Sequence, residues 1–127
     1  VRLRRHRTHP ESERGGVTAE FAVTLPVVVS LLAVLLGAVA AGTQQLRLEE
    51  AARAASRALA RGDSPEAARA SSLRLAGERA SLQFHDDGAG FVSATVQAPA
   101  PGVLGAAVPW VQTAQSTAAK EDPGGNP

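Results

Sequence analysis

Between Glu20 and Arg47 the chain carries no ionisable side chain, and the apolar part of that interval, residues 21–42, reads FAVTLPVVVSLLAVLLGAVAAG. As an α-helix rising 1.5 Å per residue this stretch is about 33 Å long, enough to cross the roughly 30 Å hydrocarbon core of a bilayer. It holds five Leu, six Val and one Phe. At about −0.3 to −0.6 kcal/mol each, these favour insertion by about 4 to 7 kcal/mol. Thr24, Ser30 and Pro26 subtract from that figure without reversing it. Pro26 removes a backbone donor and crowds the carbonyl four residues back, so a kink one turn into the helix is expected. The segment is therefore a membrane-span candidate, and any other structure has to be made from what remains.

The chain has 127 residues, so 85 follow Gly42, room for one small domain with a shallow core. Aromatic residues are limited to Phe21, Phe84, Phe91 and Trp110, and the apolar content is mostly Ala, Val and Leu. Such residues pack closely but bury little area each. A net charge of +1 gives no reason to expect a polyanionic partner. The distribution is uneven, however, because Arg2, Arg4, Arg5, Arg7 and Arg14 all precede the apolar run. We read residues 1–15 as a basic leader rather than a nucleic-acid arm, since an Arg excess beside a hydrophobic segment sets topology. It places the N-terminus in the cytoplasm and the C-terminal part outside. There is no cysteine, which excludes disulfides, thiolate metal sites and cysteine nucleophiles.

Residues 43–61, TQQLRLEEAARAASRALAR, contain strong helix formers and neither Gly nor Pro, so the membrane helix is expected to continue to Arg61. Leu48, Ala52, Ala55 and Leu59 fall on one face. Arg53, Arg57 and Arg61 form a row on another, a solvated face with Glu49 placed to pair with Arg53. Gly62 supplies a helix stop, and Asp63-Ser64-Pro65-Glu66 a new start with Asp63 or Ser64 as N-cap. The second helix is expected to reach about Ala80, with Ala70, Leu73, Ala76 and Ala80 along its inner side. After it the pattern changes to strands. SLQFH at 81–85 and FVSATVQA at 91–98 flank Asp86-Asp87-Gly88-Ala89-Gly90, the residues of a hairpin loop. Phe91, Ser93, Thr95 and Gln97 alternate with Val92, Ala94, Val96 and Ala98, so one face can be buried. Residues 102–109 read as a pliable connection, 110–119 as a third, weakly patterned strand, and 120–127 as a disordered tail.

The fold class expected from this is α+β: a long N-terminal transmembrane helix, a second short helix, and a small antiparallel sheet of two to three strands. The divisions are a leader at 1–15, the transmembrane and extended helix at 16–61, a small extracytoplasmic domain at 62–119, and the tail at 120–127.

Catalytic constellations are poor. His85, Asp86 and Asp87 bring an imidazole and two carboxylates together, but Asp beside Gly is the ordinary chemistry of a turn. His6 and His9 lack partners at metal-ligand spacing. None of the serines at 64, 71, 72, 81, 93 and 116 lies in a nucleophile elbow. The glycines at 88 and 90 precede no helix start and so form no phosphate loop. The expectation is a non-enzyme without cofactor or metal.

Glu20 is the informative residue, because a carboxylate at the edge of a span must stay at the headgroups or find a cation. Its setting is a basic leader, Gly15, the four residues Gly16-Val17-Thr18-Ala19, then Glu20, Phe21 and the apolar helix. This order resembles the class III signal of type IV prepilins, most closely that of the TadE-like minor pilins or pseudopilins of tight-adherence (Flp-type) pilus systems. The resemblance covers about residues 14–61. It implies cleavage by a membrane prepilin peptidase after Gly15, or after Gly16 given the glycine pair, and assembly with other pilus subunits through a helix bearing Glu20 and Phe21. A second reading starts from Ala38-Val39-Ala40, which has the form of a signal peptidase site and would release residues 41–127 as a secreted domain. A third is a simple membrane-anchored binding module.

Overall fold

The computed structural model describes residues 11–122, so residues 1–10, with His6, His9 and four of the leader arginines, and residues 123–127 of the expected tail lie outside the described residues. The fold is α+β, with a long apolar N-terminal helix, two short helices and a three-stranded antiparallel sheet. Its elements are α1 (Glu11–Ala60), α2 (Pro65–Ala76), β1 (Ser81–Asp86), β2 (Phe91–Pro99), α3 (Gly102–Ala107) and β3 (Val111–Ala119). The chain divides into two units, Val1–Leu35 and Leu36–Pro127.

Helix α1 begins at Glu11 rather than after the expected leader boundary, so Gly15 and Gly16 lie within its first turns. It ends where Gly62 adopts φ +89°. There the amide of Asp63 donates to the Ala58 carbonyl and that of Gly62 to the Leu59 carbonyl, both at 3.0 Å, which is the pattern of a Schellman stop. Ser64 caps α2, its hydroxyl accepting from the Ala67 amide at 3.2 Å, and Pro65 occupies the first helical position.

The second helix is shorter than expected. Gly77, at φ +96°, closes it at Ala76. Its inner side is also shifted: Ala68 and Ser72 are buried, while Ala70 is exposed and Leu73, Ala76 and Ala80 are half-buried. The reason is polar. Ser72 points inward because its hydroxyl donates to the Ala51 carbonyl of α1 at 3.0 Å, which satisfies a hydroxyl that would otherwise be costly to bury.

The sheet runs β1-β2-β3, with Ser81 opposite Gln97 in one ladder and Phe91 opposite Ala119 in the other. Val92, Ala94, Val96 and Ala98 are buried as their alternation requires, and the last three cluster with Leu82 and Ala114. Against them pack Leu48, Ala51, Ala52 and Ala55 of α1. The interior consists largely of small side chains, and Ser56 and Ser72 rank among its largest fully buried ones after Leu48 and Val96.

Contacts between α1 and β3 progress together along both elements. Gln112 donates to the Ala41 carbonyl (3.0 Å), Gln45 to the Thr113 carbonyl (3.2 Å), Ser56 to the Ser116 hydroxyl (3.0 Å), and the Glu121 amide to the Ala60 carbonyl (2.9 Å). Helix and strand thus run in the same direction over matched lengths, since twenty helical residues and nine extended ones both span about 30 Å.

The expected tail starts too early. Lys120 donates its amide to the Gly90 carbonyl (2.8 Å) and pairs through its ammonium with Asp86, so residues 120 and 121 are fixed to the fold. Nor is 102–109 a pliable connection. It contains α3, and Gly105 is a packing requirement, because a Cβ there would lie 2.0 Å from the Ala100 carbonyl oxygen.

Candidate membrane-spanning segment

One described helix, within Gly15–Ala60, is long and apolar enough to cross a membrane, with a mean hydropathy of 2.6 over its most apolar window. Exposure separates the two parts of α1. Its large apolar side chains from Val17 to Val39 are at least half exposed, from Val34 at 50% to Val23 at 71%, whereas Leu48, Ala51, Ala52 and Ala55 are fully buried. A helix hydrophobic all round and uncovered by its own chain needs an apolar surrounding.

The polar groups inside the run are satisfied locally. Ser30 donates to the Pro26 carbonyl at 2.7 Å and Thr43 to the Val39 carbonyl at 2.9 Å. Such bonds to the carbonyl four residues back let hydroxyls enter an apolar phase without an unmet donor. Pro26 lies inside a continuous helix, which lipid-facing helices tolerate where local groups compensate the lost donor.

At the mouth of the run Glu20 and Phe21 are both exposed, Phe21 at 70%. Glu20 forms no ion pair with any other described residue. A Cβ at Gly15 or Gly16 would meet nothing within 4 Å, so neither glycine is demanded by packing within the described chain.

A collar of amides marks the other end. Gln44 donates to the Pro99 carbonyl at 2.7 Å, beside the Gln45 and Gln112 bonds already described, and Arg47 follows as the first charge after the run. One contact reaches past this collar. Leu104 of α3 packs on Gly37, where an added Cβ would lie 2.4 Å from its Cγ. Sequence reasoning missed Gly37. The only signal was a glycine within a Leu- and Val-rich helix, a residue that weakens a helix unless something approaches closely.

His85, Asp86 and Asp87 form turn structure. Asp86 accepts the Gly88 amide (3.0 Å), while one oxygen of Asp87 accepts the amides of Ala89 (2.8 Å) and Phe91 (3.0 Å). The Lys120 hydrogen bond foremost, then the Gly88 amide, hold the Asp86 carboxyl below its ordinary pKa. Among the described residues no group of His and carboxylate side chains is arranged to hold a metal ion. The arginine row is engaged at the surface: Arg53 pairs with Glu49 at 3.4 Å, Arg57 donates to the Arg53 carbonyl at 3.2 Å, and Arg61 pairs with Asp63 at 3.3 Å.

Comparison with family models, with curated proteins and with solved structures gave no match to this chain.

Proposed function

We propose that the chain is a membrane-anchored structural subunit of a type IV (tight-adherence) pilus or a related secretion system, a TadE-like minor pilin or pseudopilin. In this reading a prepilin peptidase removes the leader after Gly15 or Gly16, the helix stays in the cytoplasmic membrane, and the domain that follows it lies outside. The observation that carries the reading is the uncovered, uncharged helix with Glu20 and Phe21 at its mouth.

The chemistry of assembly follows from those residues. Cleavage after Gly15 makes a new α-amino group with a pKa near 8, cationic at neutral pH. When helices bundle, that cation meets the Glu20 carboxylate of a neighbouring subunit, and pairing relieves two charges in a low-dielectric setting. Small residues at 38, 40, 41 and 42 let the helices approach.

The test separates insertion from assembly. Glu20→Ala leaves an apolar run that inserts by several kcal/mol on its own, so the variant is expected to enter the membrane and be processed normally. It loses copurification with its pilus-system partners, and Glu20→Asp is intermediate. Assembly of Glu20→Ala at the parent's level would overturn the mechanism. A mature N-terminus at Ala41 in the medium would instead establish the secreted-domain reading.

A further inference from the structure

The β2–β3 connection is a loop of unusual chemistry at an unusual place. The amide of Ala100 donates to the Trp110 carbonyl at 2.9 Å and closes its base, and α3 fills it. Residues 88–119 contain no Asp, Glu, Lys, Arg or His. Within that uncharged stretch the loop turns Val103 (70%), Val108 (63%) and Val111 (60%) outward, with Trp110 at 38%. A monomeric soluble surface seldom carries so many large apolar side chains together without a partner.

Its place along α1 identifies the partner. Leu104 seats on Gly37, five residues before the end of the apolar run at Gly42, or about 7 Å along the axis. Gln44 and Gln45 lie beyond that end and Gln112 meets the Ala41 carbonyl just before it, so α3 reaches back from the domain to the level of the span's last turns. Apolar elements that lie in a bilayer interface enter it by about 5–10 Å, and tryptophan favours the same level. Arg79 lines the 340 Å³ concavity that also contains Trp110 and makes no ion pair with any other described residue. It thereby places a cation next to the apolar tip.

We propose that this loop is a second membrane contact: Val103, Val108, Trp110 and Val111 enter the outer boundary of the bilayer beside the span, and fix the domain against the lipid surface instead of leaving it to swing on α1. The inference rests on the membrane reading of α1. The matched glycine and leucine explain how the loop is held at this level, since a Cβ at 37 would lie 2.4 Å from the Leu104 Cγ and force that side chain to move.

The chain has a single tryptophan, which makes it its own probe. Reconstituted in phosphatidylcholine vesicles, Trp110 is expected to emit at shorter wavelength than in water and to resist aqueous iodide. Lipids carrying a spin label near the headgroup end of the acyl chain are expected to quench it more than lipids labelled near the chain methyl. Val103→Asp combined with Val108→Asp changes only exposed side chains, so the variant should still float with the vesicles while losing the lipid quenching. Flotation of the parent with Trp110 quenched by iodide and not by lipid overturns this inference and leaves the span intact. Protection from iodide without lipid quenching overturns it too, because a protein then covers the loop. Failure of the parent to float overturns the membrane reading and this inference with it.

Discussion

At the scale of single residues, two glycines that look alike in the sequence do different work. Gly37 faces Leu104, a side chain, whereas Gly105 faces the Ala100 carbonyl, which is backbone. Gly37→Ala is expected to cost about 1–3 kcal/mol, the usual range for overpacking, and Leu104→Ala should recover much of it by clearing the obstacle. Gly105→Ala should be as damaging or worse, and no side-chain truncation should rescue it. Denaturant unfolding followed by Trp110 fluorescence checks both, and equal rescue of the two would contradict the contacts. Asp86 gives a pH dependence. Its carboxyl titrates below the ordinary value, chiefly through Lys120, so its contribution is complete above the unfolded pKa near 3.9 and is lost as pH falls through the lower folded value. Asp86→Asn should flatten that part of the stability profile, the acid limb below about pH 5. An unchanged acid limb would show that the Lys120 pair does not matter. None of this was legible in the sequence, where Gly37 is one glycine in an apolar run and Lys120 opens what reads as a tail.

At the scale of elements, legibility followed the strength of the period. The 91–98 alternation identified the buried face of β2 residue by residue, because a period of two admits only one inward set. The stop at Gly62 and the start at Ser64 rest on local backbone chemistry and were readable in kind, whereas the stop at Gly77 was missed and the helix was expected to reach Ala80. The inner face of α2 was misjudged because apolarity pointed to Ala70, while the helix turns by hydrogen bonding Ser72 to α1. For α3 the signal was masked by two glycines that read as flexibility. The sheet edges carry a further prediction. Bonds of Ala100 to Trp110 and Lys120 to Gly90 fix the β2–β3 ladder so that pairs with even numbers exchange hydrogen bonds, and alternate residues point away. Hence the amides of Thr113, Gln115 and Thr117 face outward from β3, and those of Ala114 and Ser116 face β2. Hydrogen exchange should be fast at the first three and slow at the other two. Uniform protection along β3 would mean that another strand covers this edge.

At the scale of the whole molecule, the fold class and the single apolar helix followed from the sequence because both depend on long, uninterrupted patterns. The level at which the loop of α3 meets α1 did not, because it is set by one contact across 67 positions, Gly37 to Leu104. The interior of the Leu36–Pro127 unit has a thermal consequence. With alanine the commonest buried residue, unfolding wets little hydrocarbon for each residue released, and the heat capacity of unfolding, which scales with that area, is correspondingly small. A small increment flattens the dependence of stability on temperature. The unit is thus built for a shallow, wide optimum, losing its modest margin slowly on warming and on cooling alike.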